Sequence, residues 1–278
     1  MSQRRENHSK AGGRVLVEKL PEKGQKTRLT RPESHHLISV LRMQAGDEID
    51  ALDGKGGSAR CRILKQAQSE DGASSDYFLE WVADMSRTQP ATARGPQLIL
   101  GMGILKGEAM EWVIEKSVEL GADEVLPLVC DHSVVKLDRK GPGAFRERWS
   151  RIADQALKQC GRLVSLRVHE PIEVRHALKA VQADRLFFFD ESVRQTVPHL
   201  ANYLFELNRT GTLVGRERWL LLIGPEGGWS ARERDDWLRA GAIRLSLGSD
   251  RVLRAETAAL QSLAVVSSFR DAQMIGSS

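Results

Sequence analysis

From about residue 97 onward, short apolar runs alternate with segments whose apolar residues recur every three or four positions. Gln97 to Met102 reads as a buried strand. The segment 108–120 reads as an amphipathic helix, with Met110, Val113, Ile114 and Val118 on one face and Glu111, Glu115 and Glu119 on another. Gly121 suits the C′ position that ends it. Val125 to Val129 is the next strand, and 145–160 the next helix, with Trp149, Ile152, Ala153 and Ala156 inward. Strands follow at Leu186 to Phe189, Trp219 to Ile223 and Ile243 to Leu247. Ser230-Ala231-Arg232-Glu233 is a capping box that opens a helix after the second of these. A last helix runs from about Glu256 to Phe269, with Leu260, Leu263 and Val266 or Ser267 on one side. Strands interleaved with helices imply βαβ units and a parallel sheet.

The first part of the chain has a different period. Arg14 to Val17, Glu48 to Leu52 and Ala59 to Leu64 read as short strands, the last two separated by the turn residues Asp53-Gly54-Lys55-Gly56-Gly57. His36 to Met43 reads as a short helix between them. This predicts a small β-rich domain, read as a barrel. Ser86 to Pro96 has linker composition. The expected division is therefore a β-barrel domain over 1–85 with a basic N-terminal arm, a linker over 86–96, and an α/β domain over 97–278.

Composition narrows the class. The 278 residues suffice for two modest cores, and 41% apolar with 28% charged residues is ordinary for a soluble globular protein. No run approaches the roughly 20 apolar residues of a bilayer span, and Met1 to Asn7 leads into no hydrophobic segment typical of a secretory signal. Cys61, Cys130 and Cys160 lie far apart, without metal-ligand spacing, so a disulfide framework and a metal site are not expected and a cytoplasmic location is. A net charge of +4 permits a polyanionic partner without requiring one. The basic residues crowd toward the N-terminus (Arg4, Arg5, Lys10, Arg14, Lys19, Lys23, Lys26, Arg28, Arg31), either as a solvated end or as a phosphate-contacting arm.

Two loops carry the chemistry. Leu221-Leu222-Ile223 breaks into Gly224-Pro225-Glu226-Gly227-Gly228, and Leu247-Gly248 leads through Ser249-Asp250-Arg251-Val252-Leu253-Arg254 into Ala255-Glu256-Thr257-Ala258. The first has neither the lysine of a nucleoside-triphosphate loop nor dinucleotide-loop spacing. Taken singly it is a tight strand-to-helix turn. Taken with the second, it places glycines and main-chain amides from two strand ends beside one cleft, where open α/β sheets bind ligands.

The order of these motifs resembles the SPOUT class of RNA methyltransferases, and within it the branch that methylates N3 of a uridine in 16S ribosomal RNA. The resemblance extends over nearly all of residues 14–270. In the first domain it rests on His36, Val40, Leu41, Arg42, Met43, Gly46 and Asp47, a pattern typical of the PUA-like domain of that branch. The resemblance alone implies a trefoil knot in the C-terminal α/β domain, S-adenosylmethionine as cofactor, 16S rRNA in the small ribosomal subunit as partner, and a homodimer; it implies no metal and no membrane. It assigns cofactor contacts to Ile223, Gly224, Pro225, Glu226, Gly227, Gly228, Leu247, Gly248, Val252, Leu253 and Ala258. It assigns an RNA-facing surface to Arg42, Lys106, Lys116, Lys136 and Arg162. For the reaction, Arg251 and Arg254 are the candidate cations beside a uracil N3 anion. Glu256, and more weakly Glu226, are the candidate proton acceptors; Glu256 reads equally well as a carboxylate at a helix N-terminus.

The sequence departs from the family pattern at Ala255, where threonine is usual, at His132 for arginine and at Lys158 for glutamate. It also lacks a proline after Arg162. Three other readings stay open: ribose 2′-O or N1-guanine methylation on the same fold, an RNA-binding assembly factor with a relict pocket, and a nucleotide-dependent metabolic enzyme, for which no phosphate motif is present.

Overall fold

In a computed structural model of the chain, residues 13–66, 76–87, 95–135, 141–193, 196–210, 217–248 and 251–275 are described. Arg4, Arg5, Lys10, Lys136, Ser249, Asp250 and linker residues 88–94 lie outside the described residues. The chain divides into two compact units, residues 1–90 with 158–164, and residues 91–157 with 165–278.

In the first unit, β1 (Arg14–Leu16), β2 (Lys26–Arg28), β3 (Glu48–Leu52), β4 (Gly57–Gln66) and β5 (Asp76–Arg87) form one sheet in the order β1-β3-β4-β5-β2. The alternation in β3 and β4 sends Ile49, Ala51, Ala59, Cys61 and Ile63 inward against Leu79 of β5 and Val15 of β1. Register shifts between Ser58 and Ala59 and between Arg60 and Cys61 bend the long β4–β5 ribbon. With β1 and β2 at its edges, the sheet is a curled half-barrel, an open version of the expected barrel. The helix starts earlier than the expected 36–43. Thr30 caps α1 (Arg31–His35) by accepting from Glu33 N at 3.4 Å, and the chain continues through a π-helical turn, His36–Val40. That turn buries Leu37 and leaves Val40 exposed. Arg42 follows it, exposed and at a φ of 54°. Lys158, where the family pattern has glutamate, forms an inward ion pair of 2.7 Å with Glu33.

The second unit holds β6 (Gln97–Gly103), α2 (Glu108–Glu119), β7 (Glu124–Val129), most of α3 (Gly141–Cys160), β8 (Arg167–Val168), β9 (Ile172–Glu173), α4 (Ala177–Ala180), β10 (Arg185–Phe189), α5 (Leu200–Arg209), β11 (Arg218–Ile223), α6 (Ala231–Arg239), β12 (Ile243–Leu245) and α7 (Ala255–Ile275). Its strands are parallel, in the order β12-β10-β11-β6-β7-β8, with β9 also on β7. Nearly every residue of β6, β10 and β11 is buried, as a parallel sheet covered on both faces requires. Beyond β6 the chain runs outward to β7 and β8, whereas beyond β11 it crosses to β12 on the other side. Adjacent strands whose connections diverge leave a crevice at their carboxyl ends. The α/β class with a parallel-sheet domain and a preceding β-rich domain is the one expected; β12 stops two residues short, and α7 runs six residues past Phe269.

At the opposite edge, Glu124 opens β7 with its carboxylate between His169 Nε2 and Arg218 Nη2, each at 2.6 Å. Burial alone would raise its pKa, but the His169 hydrogen bond and the Arg218 charge outweigh burial and hold it below the ordinary 4.5. A depressed folded pKa stabilises above the unfolded value and loses that contribution as pH falls through the folded one. Glu124→Gln should therefore cost roughly 1–3 kcal/mol at neutral pH, and the gap from the native protein should close on acidification below about pH 4.5, read from urea midpoints across pH.

Candidate active site

Three strand ends converge at the carboxyl edge of the parallel sheet and line a cavity of about 600 Å³, within the usual range for small-ligand sites. β10 contributes Phe189, Asp190 and Glu191; β11 leads into Gly224, Pro225, Glu226 and Gly228; β12 leads into Ser246, Leu247 and Gly248. The wall is completed by Arg251 to Glu256, Ala258 and Ala109.

The glycine-rich turn is fixed from every side. A Cβ on Gly103, at the end of β6, would sit 2.4 Å from Pro225 N, so only glycine lets the turn cross that strand end. Gly228 adopts a φ of 67°, and its N–H donates to Pro225 O at 2.9 Å. The Glu226 carboxylate accepts from Lys106 N at 3.0 Å, and His132 Nδ1 lies 3.0 Å from Gly227 O. Trp229 is buried, donates from its indole N–H to Phe189 O at 3.0 Å, and packs edge-on against Phe188 and Trp237. The capping box is formed: Ser230 N donates to Glu233 and Glu233 N to the Ser230 hydroxyl. Asp131, after β7, accepts from that hydroxyl at 2.6 Å and pairs with Arg232 at 2.7 Å. The Ser230 hydrogen bond and the Arg232 charge hold the Asp131 carboxyl below its ordinary pKa.

The second loop is anchored at its ends. Gln261 of α7 donates to Leu247 O at 2.8 Å, and Ser246 exchanges main-chain hydrogen bonds with Pro198 and Leu200. Arg254 is 87% exposed, its guanidinium 4.0 Å from Glu256 in the first turn of α7. Val252 is 63% exposed at the lip.

Of the residues assigned from sequence, Gly224, Pro225, Glu226, Gly228, Leu247, Gly248, Val252, Leu253 and Ala258 line the cavity, as do Arg251, Arg254 and Glu256. Ile223 and Gly227 do not: Ile223 is buried in the sheet, and Gly227 packs on His132. Lys106 is exposed beside Glu226, and Arg162 is half-buried. Lys116 is held by Glu115 at 2.7 Å and Glu119 at 2.8 Å, whose hydrogen bonds push its pKa up to about 12; it is a paired charge and not a bare one. Lys136 lies outside the described residues.

Sequence reasoning missed Asp190 and Glu191. Asp190 is buried, with Oδ1 accepting from the N–H and hydroxyl of Ser192 at 3.0 and 2.8 Å. Its Oδ2 accepts from Arg234 Nε at 3.0 Å and from the Arg244 guanidinium. Burial opposes ionisation, but the Ser192 and Arg244 hydrogen bonds and the Arg234 charge carry its pKa below the ordinary value. The available signal was position: Asp190 directly follows the apolar run Leu186 to Phe189, at a strand's carboxyl end. Among the described residues no cluster of three or more His, Cys, Asp or Glu could hold a metal ion.

Comparison with known proteins gives a coherent picture. Residues 93–267 match the model of an RNA methyltransferase domain, and residues 29–67 that of an RNA methyltransferase PUA domain. Ribosomal RNA small subunit methyltransferase E of Bacillus subtilis is 32% identical over 242 residues, covering 86% of this chain and 88% of that protein. A Legionella pneumophila methyltransferase solved with bound S-adenosylmethionine is 25% identical, with a TM-score of 0.78 over 92% of this chain and 97% of that one. The fold is also that of ribosomal RNA small subunit methyltransferase E from Neisseria gonorrhoeae, 24% identical, TM-score 0.72, covering 92% of this chain and 97% of that one.

The contact at Gly103 is testable without any ligand. Gly103→Ala should destabilise the protein by about 1–3 kcal/mol through overpacking against Pro225, whereas Gly107→Ala, with no atom within 4 Å of its added Cβ, should cost only the strain of its φ of 55°; thermal melting compares the two.

Proposed function

Because the chain belongs to the ribosomal RNA small subunit methyltransferase E family, we propose that it methylates N3 of a uridine in 16S rRNA, with S-adenosylmethionine as methyl donor. The observation that carries this reading is the cavity of about 600 Å³ between the two C-terminal loops, where glycine and apolar residues of the loops meet the charged residues Arg251, Arg254 and Glu256. It fits the cofactor chemically. Apolar surface from Leu247, Val252, Leu253 and Ala258 suits a flat adenine, and the strand-end main chain of 224–228 and 247–248 suits its polar edges and the methionyl tail. Bound there, S-adenosylmethionine supplies an electrophilic methyl on a positively charged sulfur.

The side chains of the second loop do the rest. Uracil N3 carries a proton and becomes a nucleophile only when that proton leaves. Arg251 and Arg254 line the cavity, and their charge would stabilise the N3 anion as it forms. Glu256, facing the same cavity, is the nearer choice for proton acceptor, directly or through water, because Glu226 already holds the Lys106 amide. The N3 anion held there would take the methyl from the donor's sulfur, which would leave as an uncharged thioether beside N3-methyluridine. A paired or stacked base must first be turned out to reach such a pocket.

The domain over 1–85 binds RNA with exposed Arg42 as a phosphate contact, and exposed Lys106 of the second domain is a further one. The substrate is the small ribosomal subunit in the cytoplasm; among the described residues no helix is long and apolar enough to cross a membrane. The reading includes a homodimer, in which a second copy would cover Val252, exposed at the lip.

Labelled methyl should pass from S-adenosylmethionine only to small subunits prepared from cells lacking this protein, and be recovered as N3-methyluridine. Label in a ribose 2′-O-methyl or N1-methylguanosine would overturn the assignment. Arg251→Ala and Arg254→Ala should each lower kcat/KM by about 10²-fold while cofactor affinity changes by only about twofold. Full activity in both would remove these residues from the mechanism.

A further inference from the structure

Asp190 is the most heavily engaged carboxylate at the cavity, and the reaction as described does not use it. Its side chain has no exposed surface, yet it lines the cavity, and it accepts from the guanidiniums of Arg234 and Arg244. Arg234 lies on α6, directly behind the glycine-rich turn, and Arg244 lies in β12, three residues before Leu247, with its guanidinium over the Phe188 ring at 5.3 Å. One carboxylate thus pairs with two cations, one on the helix that follows the glycine-rich turn and one on the strand that leads into Leu247-Gly248. Glu191, also lining the cavity, is 3.8 Å from Arg234.

The ligand proposed above changes charge during its reaction. Before transfer its sulfur is cationic; afterwards it is a neutral thioether. Without the Asp190 charge, Arg244 and an Arg234 left with only Glu191 would repel the first form and leave the second almost untouched.

Resting on the methyltransferase reading, we infer that Asp190 is a specificity-determining positioning residue: by offsetting Arg234 and Arg244 it lets the cavity favour the charged sulfonium donor over the neutral product. The effect is electrostatic and acts through the two arginines, so it differs from simple support of the fold. A unit charge acting across about 12 Å at an effective dielectric near 20 changes affinity by about tenfold. Asp190→Asn keeps the shape and removes the charge.

The test is calorimetric titration of the full-length protein with S-adenosylmethionine and, separately, with S-adenosylhomocysteine at low ionic strength. Asp190→Asn should weaken S-adenosylmethionine about tenfold and S-adenosylhomocysteine by no more than about twofold. Arg244→Gln removes one cation and should move the ratio the opposite way, toward S-adenosylmethionine. The double variant should return the ratio close to the native one. Equal weakening of both ligands by Asp190→Asn would mark a merely structural role and overturn the inference, as would no change in either. Should Asp190→Asn not fold, Arg244→Gln alone decides: an unaltered ratio overturns the inference. If the native protein binds neither compound, the functional reading itself fails, and this inference with it.

Discussion

The close approach of β6 to the glycine-rich turn is the constraint on which the cavity depends. β6 and β11 are neighbours in register from Gln97–Arg218 to Met102–Ile223, so both strands reach the carboxyl edge of the sheet together. Gly103 then lies directly against Gly224 and Pro225. Any Cβ there would push the turn outward, and the contacts that follow would shift with it: Glu226 on Lys106, Gly227 on His132 and Trp229 under Phe189. A rigid floor made this way suits a site whose task is alignment of two reactants, because positioning can supply much of the rate for a bimolecular transfer.

Around that floor the polar groups divide into those that hold and those left to act. Asp131, Asp190, Glu226 and Glu233 all accept hydrogen bonds from named neighbours, and the first two are carried below their ordinary pKa by them. Carboxylates stabilised as anions are poor proton acceptors, since a general base works best with a pKa near the working pH. The loop after Gly248 is different: Arg254 stands largely in solvent, with Glu256 near its 4.0 Å limit of ion pairing.

Much of this was legible in the chain. Apolar runs at Trp219 to Ile223 and Leu186 to Phe189 became central strands because burial on both faces leaves little room for polar residues. The Ser230–Glu233 capping box could be read because its two hydrogen bonds need only local geometry. β2 escaped notice because Lys26 to Arg28 is a mostly exposed edge strand without an apolar alternation, held by pairing to β5 that only the folded chain reveals. α1 was placed too late, although Thr30 followed by Pro32 and Glu33 is a helix-start signal. Asp190 needed the third dimension: its partners lie 44 and 54 residues away.

Charge shows the same limit from another direction. A net +4 with a crowded basic N-terminus invites the view that the cations are there for RNA. Many of them are instead internal partners. Arg218 serves Glu124, Arg185 serves Glu217, Arg270 serves Asp123, Lys158 serves Glu33, and Arg234 and Arg244 share Asp190. A half-buried cation in such a pair loses more on release from its partner than it gains from a screened phosphate. Arg42, Lys106, Arg251 and Arg254 are exposed, and an exposed cation can neutralise a phosphate and release its counterion. For any polyanionic partner the position of a cation therefore matters more than the total, and Arg251 and Arg254 line the cavity.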